Sequence, residues 1–143
     1  MKAKVLIFTI LILLILFAGY GYFRATPGAG KQENLPKIEI TPLSFDFGDV
    51  QYGQIVKDTF LVKNIGQETL EIKRIGTSCG CTKAEIAQEK IEPGEEAQLF
   101  VTYDTGAMSG SHAQGRQERI IYIKSNDPVN PQVQTIIYAN VLP

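Results

Sequence analysis

The segment Ser78-Cys79-Gly80-Cys81-Thr82 holds the only two cysteines of the chain, one glycine apart. Two thiols at this spacing can close a disulfide, bind a soft metal ion, or pack as small buried side chains. In an extended strand, residues i and i+2 project the same way with Cα atoms about 6.5–7 Å apart. That separation sits at or beyond the limit for a disulfide. Gly80 lets the chain tighten, because glycine adopts φ values closed to other residues. A disulfide in so short a ring would be strained and easily reduced, a redox group rather than a staple. The usual accessory of a redox thiol, a Cys-x-x-Cys at a helix N-terminus, is absent. The charges nearest in sequence are Arg74, Lys83 and Glu85.

A metal site needs further ligands. Two thiolates suit Cu(I) ahead of zinc, and Met108 or the single histidine, His112, would complete a soft site with Cys79 and Cys81. Against that, a thioether and an imidazole in a glycine-rich loop are ordinary solvent-exposed residues. The leading reading is packing, with both cysteines at a tight crossing between strands and one or both buried. Two unpaired thiols in an oxidising compartment would still be unusual. No H-E-x-x-H, G-x-S-x-G or G-x-x-x-x-G-K-[ST] pattern occurs, and a lone histidine in a loop disfavours a Ser-His-Asp triad. No catalytic residue is assigned, and no cofactor beyond the Cu(I) alternative.

The elements that position these residues read as strands separated by turn signals every eight to twelve residues. Seven are expected, at 43–48, 55–63, 69–75, 83–91, 96–104, 118–125 and 132–141. In the fifth, Ala97, Leu99, Val101 and Tyr103 share one face. In the seventh, Ile137, Ala139 and Val141 do. Ile75 has the wrong parity for its strand, which predicts a bulge near Arg74. Glu92-Pro93-Gly94-Glu95 is a type II turn, with Pro and Gly where that turn requires them. The fold class is all-β, an Ig-like seven-stranded antiparallel β-sandwich. With seven up-and-down strands, the connections at 49–54, 79–81 and 105–117 share one end. Tyr52, the cysteines, Met108 and His112 then converge.

Ahead of this domain, residues 5–23 run nineteen residues without a charge, VLIFTILILLILFAGYGYF, between Lys4 and Arg24. As a helix this is about 28 Å long, near the thickness of a bilayer's hydrocarbon core. Gly19-Tyr20-Gly21 is a poor cleavage site, so one uncleaved N-terminal transmembrane helix, a signal anchor over 1–24, is expected. A cleaved, secreted form is the alternative. Residues 25–36 read as a flexible linker and 37–143 as the domain. The domain is placed outside the cytoplasm, at the cell surface or in the periplasm. Without Lys2, Lys4 and Arg24, the 14 basic residues fall to 11 against 15 acidic ones, about −4. Such a surface disfavours nucleic acid.

Phe45-Asp46-Phe47-Gly48, Asn64-x-Gly66, the cysteine segment, Pro93-Gly94 and Ser125-Asn126-Asp127-Pro128 occur in that order. The combination resembles bacterial domain-of-unknown-function family 1573, a family of exported Ig-like domains. It is similar in turn to Hydin-type and sperm-protein-like sandwiches. The resemblance implies a β-sandwich, usually exported, without an established activity, and related eukaryotic sandwiches are protein-binding modules. The stretch 107–115 is longer than that pattern, so Met108 and His112 carry no role over from it.

The function expected is therefore a membrane-tethered, non-enzymatic module that binds an envelope protein or has a structural role. The alternative is a Cu(I)-binding or redox protein built on Cys79 and Cys81. The first and last strands are the expected sheet edges, and a partner's strand adding along 132–141 is the simplest route.

Overall fold

A computed structural model describes residues 12, 13, 15–17, 34–110 and 113–143. The chain divides into two compact units, Met1–Glu33 and Asn34–Pro143. In the first, Ile12, Leu13, Ile15, Leu16 and Phe17 are helical and exposed. Among the described residues no helix is long and apolar enough to cross a membrane. The span expected at 5–23 lies mostly outside them.

The second unit is a two-sheet sandwich of nine strands among the described residues: β1 (Ile38–Thr41), β2 (Ser44–Gln51), β3 (Ile55–Asn64), β4 (Leu70–Thr77), β5 (Thr82–Ile86), β6 (Lys90–Ile91), β7 (Glu96–Asp104), β8 (Gly115–Ser125) and β9 (Gln132–Leu142). One sheet has the order β1-β3-β7-β5 and the other β2-β9-β8-β4-β6. Their facing sides form the core by simple alternation. Ala97, Leu99, Val101 and Tyr103 of β7 are buried, and they pack with Phe60, Leu70, Ile121, Ile137 and Val141. The exposed partners Glu96, Gln98 and Phe100 point away. A register shift between Ile72 and Arg74 marks the bulge that the parity of Ile75 requires. The turn at 92–95 closes through Glu95 N–H to Glu92 O at 3.0 Å, with Gly94 at φ +82°.

The architecture departs from seven antiparallel strands at three places. Ile38 and Ile40 form β1, a four-residue run that pairs with β3. It is so short, and so closely bracketed by Pro36 and Pro42, that its alternation gives no clear strand signal in the sequence. The chain then crosses at Pro42-Leu43, which Thr135 Oγ1 approaches at 3.3 and 3.0 Å. The crossing carries β2 into the other sheet, where it pairs parallel to β9. Finally, the strand expected at 83–91 is two strands in different sheets. Residues 87–89 carry the chain across, held by Ala87 N–H to Gln98 O and by Ile72 N–H to Glu89 O, both 2.8 Å. β2, the strand expected at 43–48, is a sheet edge as expected, but the other expected edge is not. The strand expected at 132–141, β9, lies between β2 and β8, and its backbone is paired on both sides from Ile136 onward. It accepts no added strand.

Candidate functional site: the disulfide crossing and the open edge

Residues 78–81 carry the chain from β4 in one sheet to β5 in the other. Ser78 pins the start: its N–H donates to Ile120 O at 2.9 Å, and its Oγ accepts from Ile120 N–H at 3.0 Å. Thr77 Oγ1 lies 2.9 Å from Cys79 O and 3.0 Å from Thr82 O, bracketing the turn. The turn brings the Cα atoms of Cys79 and Cys81 to 5.3 Å, and the two are joined by a disulfide. The expectation of two packed free thiols is corrected here. It rested on extended geometry, whereas the chain turns sharply enough to bring the sulphurs together.

The two sulphurs are not equivalent. Cys79 is half-buried, while Cys81 is only 4% exposed. Cys81 Sγ accepts from Arg119 Nε at 3.2 Å, and Arg119 Nη2 lies 3.4 Å from Met108 Sδ. The guanidinium is held on its other sides. Nη1 donates to Glu118 O at 2.7 Å, Nη2 also donates to Gln117 Oε1, and the group lies 5.5 Å from the centre of the buried Tyr103 ring. Thr82 Oγ1 lies 3.6 Å from Cys79 Sγ and 3.8 Å from Cys81 Sγ. Tyr52 OH donates to Met108 O at 3.0 Å, and Thr105 Oγ1 lies 2.9 Å from both Gln51 O and Gln54 O. The connections around 52, 80 and 105 thus meet at one end of the sandwich, with Cys79, Cys81, Met108 and Tyr52 among them. His112 lies outside the described residues. Among the described residues no three or more His, Cys, Asp or Glu side chains form a metal-binding group.

Arg119 is the residue that sequence reasoning missed, because it lies 38 positions from Cys81. The available signal was parity. Gln117, Arg119, Ile121 and Ile123 share the inward side of β8, so a charged side chain stands on the core-facing row.

The second feature is β5 itself. Cys81 O accepts from Asp104 N–H at 2.9 Å and Ala87 N–H donates to Gln98 O at 2.8 Å, either side of the β5–β7 ladder. Hydrogen-bonded pairs alternate along an antiparallel ladder. Lys83 and Glu85 therefore bond to β7, and the backbone groups of Ala84 and Ile86 point out from the sheet edge. Beside them β4 is covered by β6 only at Leu70 and Glu71. A groove of about 280 Å³ runs between Lys73–Ile75 of β4 and Ala84–Ile86 of β5.

The opposite end of the sandwich is also polar but is closed. Asn64, fully buried, donates to Glu68 O and Ile91 O at 2.8 and 2.9 Å and accepts from Gly66 N–H at 2.9 Å. Asp127, 1% exposed, accepts from the N–H groups of Ile38, Val129 and Asn130 at 2.8–3.0 Å. Burial works against its charge, but those three amides outweigh it and hold the carboxyl below its ordinary value.

The family model described as a protein of unknown function (DUF1573) matches residues 38–141, most of the chain. The chain belongs to the DUF1573 family. No curated protein matches it. A protein of unknown function from Porphyromonas gingivalis W83 is similar in structure, with TM-score 0.67 at 21% identity. The match covers 80% of this chain and 51% of that one, so this DUF1573 chain spans about half the length of that relative. The ASH/PapD-like domain 7 of human CEP192 matches with TM-score 0.58 at 10% identity, over 76% of this chain and 87% of that one. The YadV chaperone matches with TM-score 0.52 at 10% identity, over 74% and 52%. At these identities the likeness is one of fold: an Ig/PapD-like β-sandwich.

Proposed function

We propose that this DUF1573 protein is an extracytoplasmic, membrane-tethered module that binds an extended segment of another envelope protein as an extra strand along β5. The open edge carries this reading: the outward-facing backbone of Ala84 and Ile86 beside a groove between two strands. An added strand would bond to those groups, and every second side chain would enter the groove. The apolar run at 5–23 supports the tether. Catalysis is not needed for this role.

The Cu(I) reading has less support. The two cysteines are joined to each other, and the cationic Arg119 guanidinium lies against both Cys81 Sγ and Met108 Sδ. A cation there would meet another cation.

The test is a photo-crosslinking side chain at Lys83 in the full chain, expressed in its own envelope, with and without Ala84→Pro. Proline at an outward-facing edge position removes a free donor and leaves the β7 ladder intact. A discrete crosslinked partner that falls at least about tenfold with Ala84→Pro, with the fold retained by circular dichroism, supports strand addition. The same crosslink in the folded proline variant, or none in the parent, contradicts it.

A further inference from the structure

We propose that Cys79–Cys81 is a thiol–disulfide exchange centre in which Cys79 is the sulphur attacked and Cys81 the sulphur released, its thiolate held by Arg119. This goes beyond the binding role and does not depend on it. Three observations converge. The half-buried Cys79 is the accessible end of the bond, and Cys81 is the buried end. Arg119 Nε, 3.2 Å from Cys81 Sγ, donates to the sulphur that would carry negative charge. The guanidinium is fixed there by Gln117, Glu118 and the Tyr103 ring, so it needs no rearrangement when the charge appears.

The substrate class is a thiol, free or on a partner protein. Its thiolate attacks Cys79 Sγ in line with the disulfide. A new S–S bond forms to Cys79 as the Cys79–Cys81 bond breaks, and the electron pair leaves on Cys81 Sγ. Exchange is faster when the leaving thiolate is better stabilised, which is what a guanidinium hydrogen bond provides. A second substrate thiolate then attacks the substrate sulphur of the mixed disulfide and releases Cys79. In sum, two substrate thiols are oxidised to a disulfide, the protein disulfide is reduced to two thiols, and the two substrate protons are retained. Gly80, next to Cys79 in the turn, is exposed, so the turn is open to a thiol-bearing chain. Nothing lies within 4 Å of the position a Gly80 side chain would take.

The experiment uses the full chain purified in detergent without reductant. Reduced glutathione at pH 7 is added, samples are quenched in acid at intervals, and intact mass and fragmentation locate the adduct on either side of Gly80. The expected result is glutathione on Cys79 with Cys81 as the free thiol. Arg119→Gln should slow its appearance about tenfold, the scale of one lost charge-assisted hydrogen bond, and Arg119→Lys should recover part of that rate. Glutathione mainly on Cys81, equal amounts on both, or no reaction of the parent protein overturns the proposal. So does a folded Arg119→Gln protein that exchanges at the parent rate. If that variant does not fold, the position of the adduct on the parent protein decides. The glutathione adduct on the parent protein and the crosslink from position 83 are read independently, so this proposal and strand addition fail separately.

Discussion

The strand edges of this sandwich are treated in two ways. β1 and β2 are tied down by carboxylates. Asp127 accepts the Ile38 amide at the start of β1. In β2, Asp46 accepts the Gly48 amide at 2.9 Å and pairs with Arg116 of β8 at 2.9 Å, while Asp49 accepts from Asn140 of β9 at 2.8 Å. The register of β2 shifts between Asp46 and Asp49, where Gly48 adopts φ +68°. A bulge and inward-bonded carboxylates spoil an edge as a template. β6 is only two residues long. β5 has none of these devices. Its ladder to β7 is regular over all five residues, and its outward backbone groups face a groove. Three of the four edges thus carry blocking features and the fourth does not, which marks β5 as the edge kept for use.

The comparison can be broken at the pinned edges. The largest effect on stability is expected from Asp127→Ala, which leaves three amides without their buried acceptor and should cost about 3 kcal/mol in chemical denaturation. The effect depends on pH. The carboxyl is held low in the folded state, so the unfolded chain takes up the proton first on acidification. The contribution is complete above the unfolded value of about 3.9 and fades as pH falls through the lower folded one. The gap between parent and variant should therefore narrow below about pH 4. Gly48→Ala comes next. Nothing blocks the added methyl group, so the cost is that of a left-handed backbone on an alanine, about 1 kcal/mol. The smallest effect is at Asp46, whose carboxyl is held below its ordinary value by the Gly48 amide and then by Arg116. Its carboxyl carbon, followed by NMR, should titrate at higher pH in Arg116→Gln.

Much of the sandwich was legible in the sequence because burial alternates with a period of two. Ala97, Leu99, Val101 and Tyr103 are buried as that period requires, and so are Ile137, Ala139 and Val141. The same reasoning failed where an element is too short to show a period. β1 has four residues, and the segment 83–91 changes sheets at 87–89 without a proline or glycine to announce it. Both errors bore on function, because each moved an edge. At the disulfide end, the turn signals were enough to expect that Tyr52, the cysteines and Met108 come together. The joining of Cys79 to Cys81 depends on how tightly one turn closes, and spacing alone does not determine that. Arg119 approaches Cys81 from a strand distant in sequence, so local charge patterns pointed instead to Arg74, Lys83 and Glu85.

The most direct test of edge selection places the same photo-crosslinking side chain at Lys83 beside the β5 edge and, separately, at Phe45 in β2, each in the full chain in its own envelope. The expected result is a discrete partner crosslinked from position 83 and none from position 45. Equal capture from both positions, or capture from position 45 alone, would contradict it.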